Sequence, residues 1–190
     1  MAQRRDNHGR GSHKANRGPS AGPSNRAALV SAAREIFDER GFDAPLSAIA
    51  KAAGVGQGSL YRHFPDRVSL AIAVFSENMD ALEQLAGKPT ATLGSAAELV
   101  THYAEGTAAI FPVLGRHKDD PRVSELERRL RAVFEALWDR GESFVGPRTS
   151  VDDLILAIAM IAGLAAQTPR ETRHQVTQAA WAMLRPGLAQ

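Results

Sequence analysis

The stretch Leu46 to Arg67, LSAIAKAAGVGQGSLYRHFPDR, limits the possible folds of this chain more than any other. Leu46, Ile49, Ala50 and Ala53 recur at helical spacing and give one apolar face. Gly54 stops that helix, because glycine reaches positive φ without a Cβ clash. Val55 is the apolar residue of the turn, placed to fill the angle between two helices. Gln57 to Phe64 makes a second helix of about two turns, with Leu60 and Phe64 facing inward. Its other positions, Gln57, Gly58, Ser59, Tyr61, Arg62 and His63, form a polar face rich in donors and free of carboxylates. Two short helices joined by a glycine-containing turn, the second bearing such a face, make a helix-turn-helix.

The flanking sequence supports an all-α fold. Ser24 or Asn25 is expected to cap a helix running to about Arg40, with Ala28, Leu29, Ala32, Ala33, Ile36 and Phe37 along one stripe. Gly41 ends it, and Pro45 suits the first turn of the next helix. Asp66 caps a long helix to about Ala86. Ser95 and Glu98 read as a capping box for the following helix, which Pro112 and Gly115 interrupt. Asp120 and Pro121 open another helix, and Ser150 with Asp153 open an apolar one to about Gln167. A final helix begins near Pro169 and stops at Pro186. The pattern lacks strand alternation and internal repeats. It divides into residues 1–23 as a disordered basic arm, 24–69 as the helix-turn-helix domain and 70–190 as a helical bundle.

Charge is unevenly distributed. Residues 1–26 hold six basic residues against Asp6, a net +5, and the remaining 17 basic and 20 acidic residues leave −3. A basic arm on a mildly acidic body suits a polyanion partner at one end. The arm either follows DNA phosphates or enters a minor groove, or serves as a solubilising tail. The chain has no cysteine. That excludes disulfides, thiol nucleophiles and zinc–thiolate sites, and fits a reducing compartment. The polar N-terminus lacks the apolar core of a secretion signal, and no apolar run reaches the roughly 18 residues of a membrane span. A cytoplasmic protein without a membrane partner is therefore expected. G-x-S-x-G, H-E-x-x-H and glycine-rich phosphate loops are absent, so the expectation is a non-enzyme without cofactor or metal. Glu98 and His102, four apart, read as a solvated ion pair rather than metal ligands.

The segment Ala27 to Leu70 resembles the DNA-binding domain of the TetR family of bacterial transcriptional regulators. The residues that carry the likeness are Gly41-Phe42, Ile49-Ala50-Lys51-Ala52-Ala53-Gly54-Val55, Gly58-Ser59-Leu60-Tyr61-Arg62-His63-Phe64 and Asp66-Arg67. The later helices match only in length and order. The resemblance implies a homodimeric repressor on a palindromic operator, released when a small apolar or amphipathic effector binds the C-terminal half. It departs from the family at Pro45 and Gly56, where threonine or serine often holds phosphate. Two rival readings are an all-helical protein–protein adaptor and a non-specific architectural DNA binder.

Candidate residues follow. Gln57, at the N-terminal end of the second helix, is the expected base reader, since a glutamine amide pairs bidentately with adenine. Gly58 allows close approach to DNA. Ser59, Tyr61, His63, Arg67 and Arg26 are expected on phosphates, and Arg62 on guanine or a phosphate. Arg67 in a first helical turn is unfavourable on dipole grounds, which a phosphate would offset. Phe75, Met79, Tyr103, Phe111, Phe134 and Trp138 either line an effector cavity or fill the core; Tyr103 and Trp138 carry polar tips that favour the cavity. Ala159, Gly163 and Ala166, with Val176, Ala180 and Met183, are the expected dimer seam, because small residues permit close helix approach.

Overall fold

A computed structural model describes residues 22–140, 146 and 148–188. Among these residues there are nine helices and no strand. Of the expected arm at residues 1–23, Gly22 and Pro23 instead begin a helix, while residues 1–21 and the expected stop at Gly141 lie outside the described residues.

Four helices build the N-terminal half: α1 (Gly22–Arg40), α2 (Leu46–Ala52), α3 (Gln57–His63) and α4 (Arg67–Ala86). Helix α1 starts at Gly22, earlier than the expected cap at Ser24 or Asn25. Pro23 sits in the first turn, where a missing N–H costs nothing. Leu29, Ala33, Phe37, Ile49, Leu60 and Phe64 share one core with the first turns of α4. Gly54, at φ 65°, closes α2: its N–H donates to Lys51 O at 3.1 Å and Val55 N–H donates to Ala50 O at 2.9 Å. This reciprocal pair is a Schellman stop, and it sets the angle between α2 and α3. A Cβ at Gly54 would meet no atom within 4 Å, so a substitution is penalised by backbone conformation alone. Gly54→Ala should therefore lower stability by about 1–2 kcal/mol, the cost of an L-residue in the left-handed region. Urea titration measures it, and an unchanged midpoint would show that the turn relaxes to negative φ.

Five more helices follow: α5 (Leu93–Gly106), α6 (Phe111–Arg116), α7 (Pro121–Trp138), α8 (Val151–Gln167) and α9 (Arg170–Leu188). Helix α5 begins earlier than expected. Thr92 is its N-cap, accepting Ser95 N–H at 2.9 Å while Ser95 Oγ accepts Thr92 N–H at 2.9 Å. Ser95 thus stands three residues inside the helix, and the box uses two hydroxyls instead of Ser95 and Glu98. Pro112 starts a helix instead of interrupting one, because it falls in the first turn of α6. Asp66, Asp120 and the Ser150–Asp153 box cap α4, α7 and α8 as their spacing predicts. The Arg122 guanidinium and N–H hold the Asp120 carboxyl down at about 2. Helix α9 runs past Pro186 to Leu188. Leu188 is buried there, and its carbonyl accepts from Gly146 N–H and the Thr149 hydroxyl, which tie down the helix end.

Packing joins the two halves. Leu70, Ala71, Ala73 and Val74 of α4, with Ile110 at the N-cap of α6 and Val113 within it, complete the core of the N-terminal helices. The hydrophobic contacts thus cross the expected 69/70 boundary. Arg122 reinforces the joint, donating to Ser69 Oγ at 3.1 Å and to Asp120 at 2.6 Å. Further along, Arg129 on α7 clasps Asp80 and Glu83 on α4 at 2.6 and 2.7 Å. A second core unites Leu82, Leu93, Phe134, Leu137, Leu154, Ile161 and Trp181.

Candidate nucleic-acid interface

Helix α3 presents the polar face its sequence requires. Leu60 and Phe64 are 1% and 3% exposed and turn inward. Gln57, Gly58, Tyr61 and Arg62 are exposed, while Ser59 and His63 are half-buried. The buried face fixes the helix axis, so the outer residues stand on a rigid element. Neither α2 nor α3 carries an acidic residue, and neither N-cap, Pro45 or Gly56, makes a side-chain hydrogen bond to its helix. The first N–H groups of both helices remain available to an outside acceptor, which is how helix N-termini take phosphate.

Beside α3 lies an open concavity of about 440 Å³, lined by Pro45, Ser47, Ala48, Lys51, Val55 and Gln57. It puts the ammonium of Lys51 and the hydroxyl of Ser47 on the same surface as Gln57. Neither is among the residues expected on DNA, although their exposed positions on α2 follow from the Ile49–Ala50 face.

Two expected phosphate contacts are already engaged within the chain. Arg67 Nη1 donates to Asp43 Oδ1 at 3.1 Å, and its guanidinium lies 5.4 Å from the Phe42 ring centre. Asp43 supplies the opposing charge that a phosphate was expected to supply. The Asp43 side chain is fully exposed, so this pair is weak and open to exchange. Arg26 rests over Phe64, 5.3 Å from its centroid, which brings a cation of α1 to the C-terminal end of α3. The His63 ring leans toward Phe64, with centroids 6.4 Å apart.

The expected effector-lining residues do not converge on one space. Phe75 and Met79 pack around Ile72, Val123 and Leu126. Phe134 is fully buried in the second core, and Trp138 packs against its edge. Phe111 opens α6, and Tyr103 faces a separate charged groove. The aromatic with a satisfied polar tip is Trp181, whose Nε1–H donates to Thr101 Oγ1 at 2.8 Å. The expected Glu98–His102 pair does not form: Glu98 lies 4.0 Å from Arg185 on α9, because packing of α5 on α9 supplies a permanent cation. Of the expected seam, Ala159 and Met183 are exposed, Gly163, Ala166 and Val176 half-buried, and Ala180 buried within its own chain.

The sequence model of the bacterial regulatory proteins of the tetR family matches residues 29–74, the segment that carries α2 and α3. Over residues 29–74 the chain is similar to the TetR family. HTH-type transcriptional regulators of Staphylococcus aureus are 39% identical over 57 residues, or 30% of this chain. The chain spans about a third, 31%, of the length of these curated relatives. A TetR transcriptional regulator from Streptomyces coelicolor has a similar structure, with TM-score 0.63 and 27% identity over 86% of this chain and 97% of that one. LfrR from Mycobacterium smegmatis, solved in complex with proflavine, shares the fold at TM-score 0.51 and 21% identity, over 86% and 96% of the two chains. The TetR-like architecture, an N-terminal helix-turn-helix domain before a helical bundle, thus extends through the described residues. Among them, no helix is long and apolar enough to cross a membrane.

Proposed function

We propose that this chain is a sequence-specific transcriptional repressor of the TetR family. It binds a palindromic operator as a homodimer, and a small apolar or amphipathic effector releases it. The exposed, carboxylate-free face of α3 carries the DNA-binding part of this reading. Gln57 reads a base edge, and Gly58 lets the helix backbone approach it. Ser59, Tyr61 and His63 take phosphates with Ser47 and Lys51 behind them; Arg62 takes a guanine or a phosphate, and Arg26 and Arg67 steady the flanks. Phosphate contacts dominate affinity and make it fall steeply with salt.

The homodimer rests on a stripe of large apolar side chains that this chain leaves uncovered. Leu156, Met160 and Leu164 on α8 are 59%, 55% and 38% exposed, and Met183 on α9 is 75% exposed. Ala159 and Gly163 lie between them, small enough for a second helix to come close. Two copies of α8 and α9 would bury the stripe in a four-helix seam. Support for an effector comes from the family and from the proflavine complex of the structural neighbour.

Gln57→Ala tests the reader. One lost bidentate contact is worth about 1–3 kcal/mol of discrimination at one base pair, so preference there should relax while non-specific affinity persists. Comparing wild-type and variant binding across operator point variants measures this. An unchanged preference profile would remove Gln57 from the reading.

A further inference from the structure

Where α1 meets the end of α5 and the start of α9, the surface opens into a cavity of about 320 Å³. It lies away from the α2–α3 surface, and its chemistry is ionic. Asp38 on α1 accepts from Arg173 Nη1 at 2.9 Å and forms an ion pair with Arg170 Nε, 3.1 Å away, both on α9. Asp38 and Arg173 are nearly buried, at 14% and 12% side-chain exposure, and Arg173 also donates to the Glu105 carbonyl at 2.6 Å. Glu105 in turn accepts the Thr177 hydroxyl and lies 3.1 Å from His174 Nδ1. From the facing wall Arg34 Nη2 donates to Asn78 Oδ1 at 2.9 Å and pairs with Glu77 Oε2 at 3.5 Å, outside the cavity lining.

Donors exceed acceptors in this cavity. Three guanidiniums, Arg34, Arg170 and Arg173, line it against two carboxylates, Asp38 and Glu105. Arg34 Nε is buried without a hydrogen-bond partner. Arg170 spends only Nε on Asp38, its side chain is 60% exposed, and its Nη groups have no acceptor among the described residues. A guanidinium with both Nη groups free presents the fork that a carboxylate fits. The rings of His102 and Tyr103, 5.9 Å apart and tilted 48° to each other, lie beside it.

We propose that this cavity binds a small organic carboxylate with a planar apolar body. Arg170 and Arg34 take the carboxylate, and the His102 and Tyr103 side chains pack on the body. The bound carboxylate competes with Asp38 for Arg170 and so weakens the tie between α1 and α9. Binding stands on the cavity alone; its consequence for DNA rests on the regulator reading above.

Isothermal titration of the full chain with sodium benzoate, in chloride buffer, tests the site. Benzamide is the neutral probe of the same shape, and inorganic phosphate the anion without a body. Benzoate should bind once per chain and at least tenfold more tightly than either. Arg170→Ala should weaken benzoate at least tenfold, and the exposure of Arg170 keeps that variant folded, as thermal melting will verify. Asp38→Asn removes the competing carboxylate and should tighten benzoate several-fold. Equal binding of benzamide or phosphate, benzoate binding unmoved by Arg170→Ala, or no benzoate binding would overturn the proposal. DNA retention measured without benzoate reports separately on the regulator reading, so the two can fail independently.

Discussion

Met160→Glu is expected to convert a stable dimer into a monomer and to weaken operator binding by about a thousandfold. Met160 is 55% exposed in the single chain, so the variant should fold normally and show its effect only on association. Across a two-fold axis the change appears twice, placing two unpaired carboxylates in an apolar seam. An uncompensated buried charge costs several kcal/mol, and the two charges also repel each other. A monomer grips only one half-site, so the avidity of paired reading heads disappears as well. Sedimentation velocity reports the oligomeric state, and fluorescence anisotropy on operator DNA reports affinity. Met160→Leu, which keeps the apolar surface, should leave both unchanged. A dimeric Met160→Glu protein would place the seam elsewhere.

Phe134→Ala should cost about 3–5 kcal/mol of stability, the usual penalty for deleting a fully buried aromatic ring. Phe134 is 0% exposed and packs within the core that holds Leu82, Leu93, Leu137, Leu154 and Ile161. Domains of this kind have roughly 5–15 kcal/mol in hand, so the loss would be a large fraction of the total. Urea unfolding followed by circular dichroism measures it. The experiment also separates the two roles open to Phe134. A loss below about 1 kcal/mol would mean that the ring borders a ready-made cavity, whereas the full penalty marks it as core.

The N-terminal half was legible because its signals are local. The period of Leu46, Ile49 and Ala50, the stop at Gly54 and the inward pair Leu60 and Phe64 each depend on residues within a turn or two. The caps at Asp66, Asp120 and Ser150 were legible for the same reason. Thr92 is not singled out by sequence because a Thr–Ser box pairs an N-cap and an N3 N–H just as a Ser–Glu box three residues later would, and only the observed hydrogen bonds choose between them. The engagement of Arg67 by Asp43, 24 residues away, has no local signature at all. Nor does the cluster of Arg34, Asp38, Glu105, Arg170 and Arg173, which three helices far apart in sequence bring together. The bundle posed a different difficulty: a helical stripe of large residues looks the same whether it faces a cavity, a core or a second chain. The exposure of Leu156, Met160 and Leu164 separates their stripe from core, and it became visible only once α8 had packed against α5 and α9.

The central claim is that two copies of this chain present their α3 helices to one duplex. Selection of bound sequences from a random DNA pool tests it most directly. The account predicts enrichment of an inverted repeat whose half-sites lie about one helical turn apart, with binding that falls as salt rises. Enrichment of a lone half-site, or of no sequence at all, would contradict it.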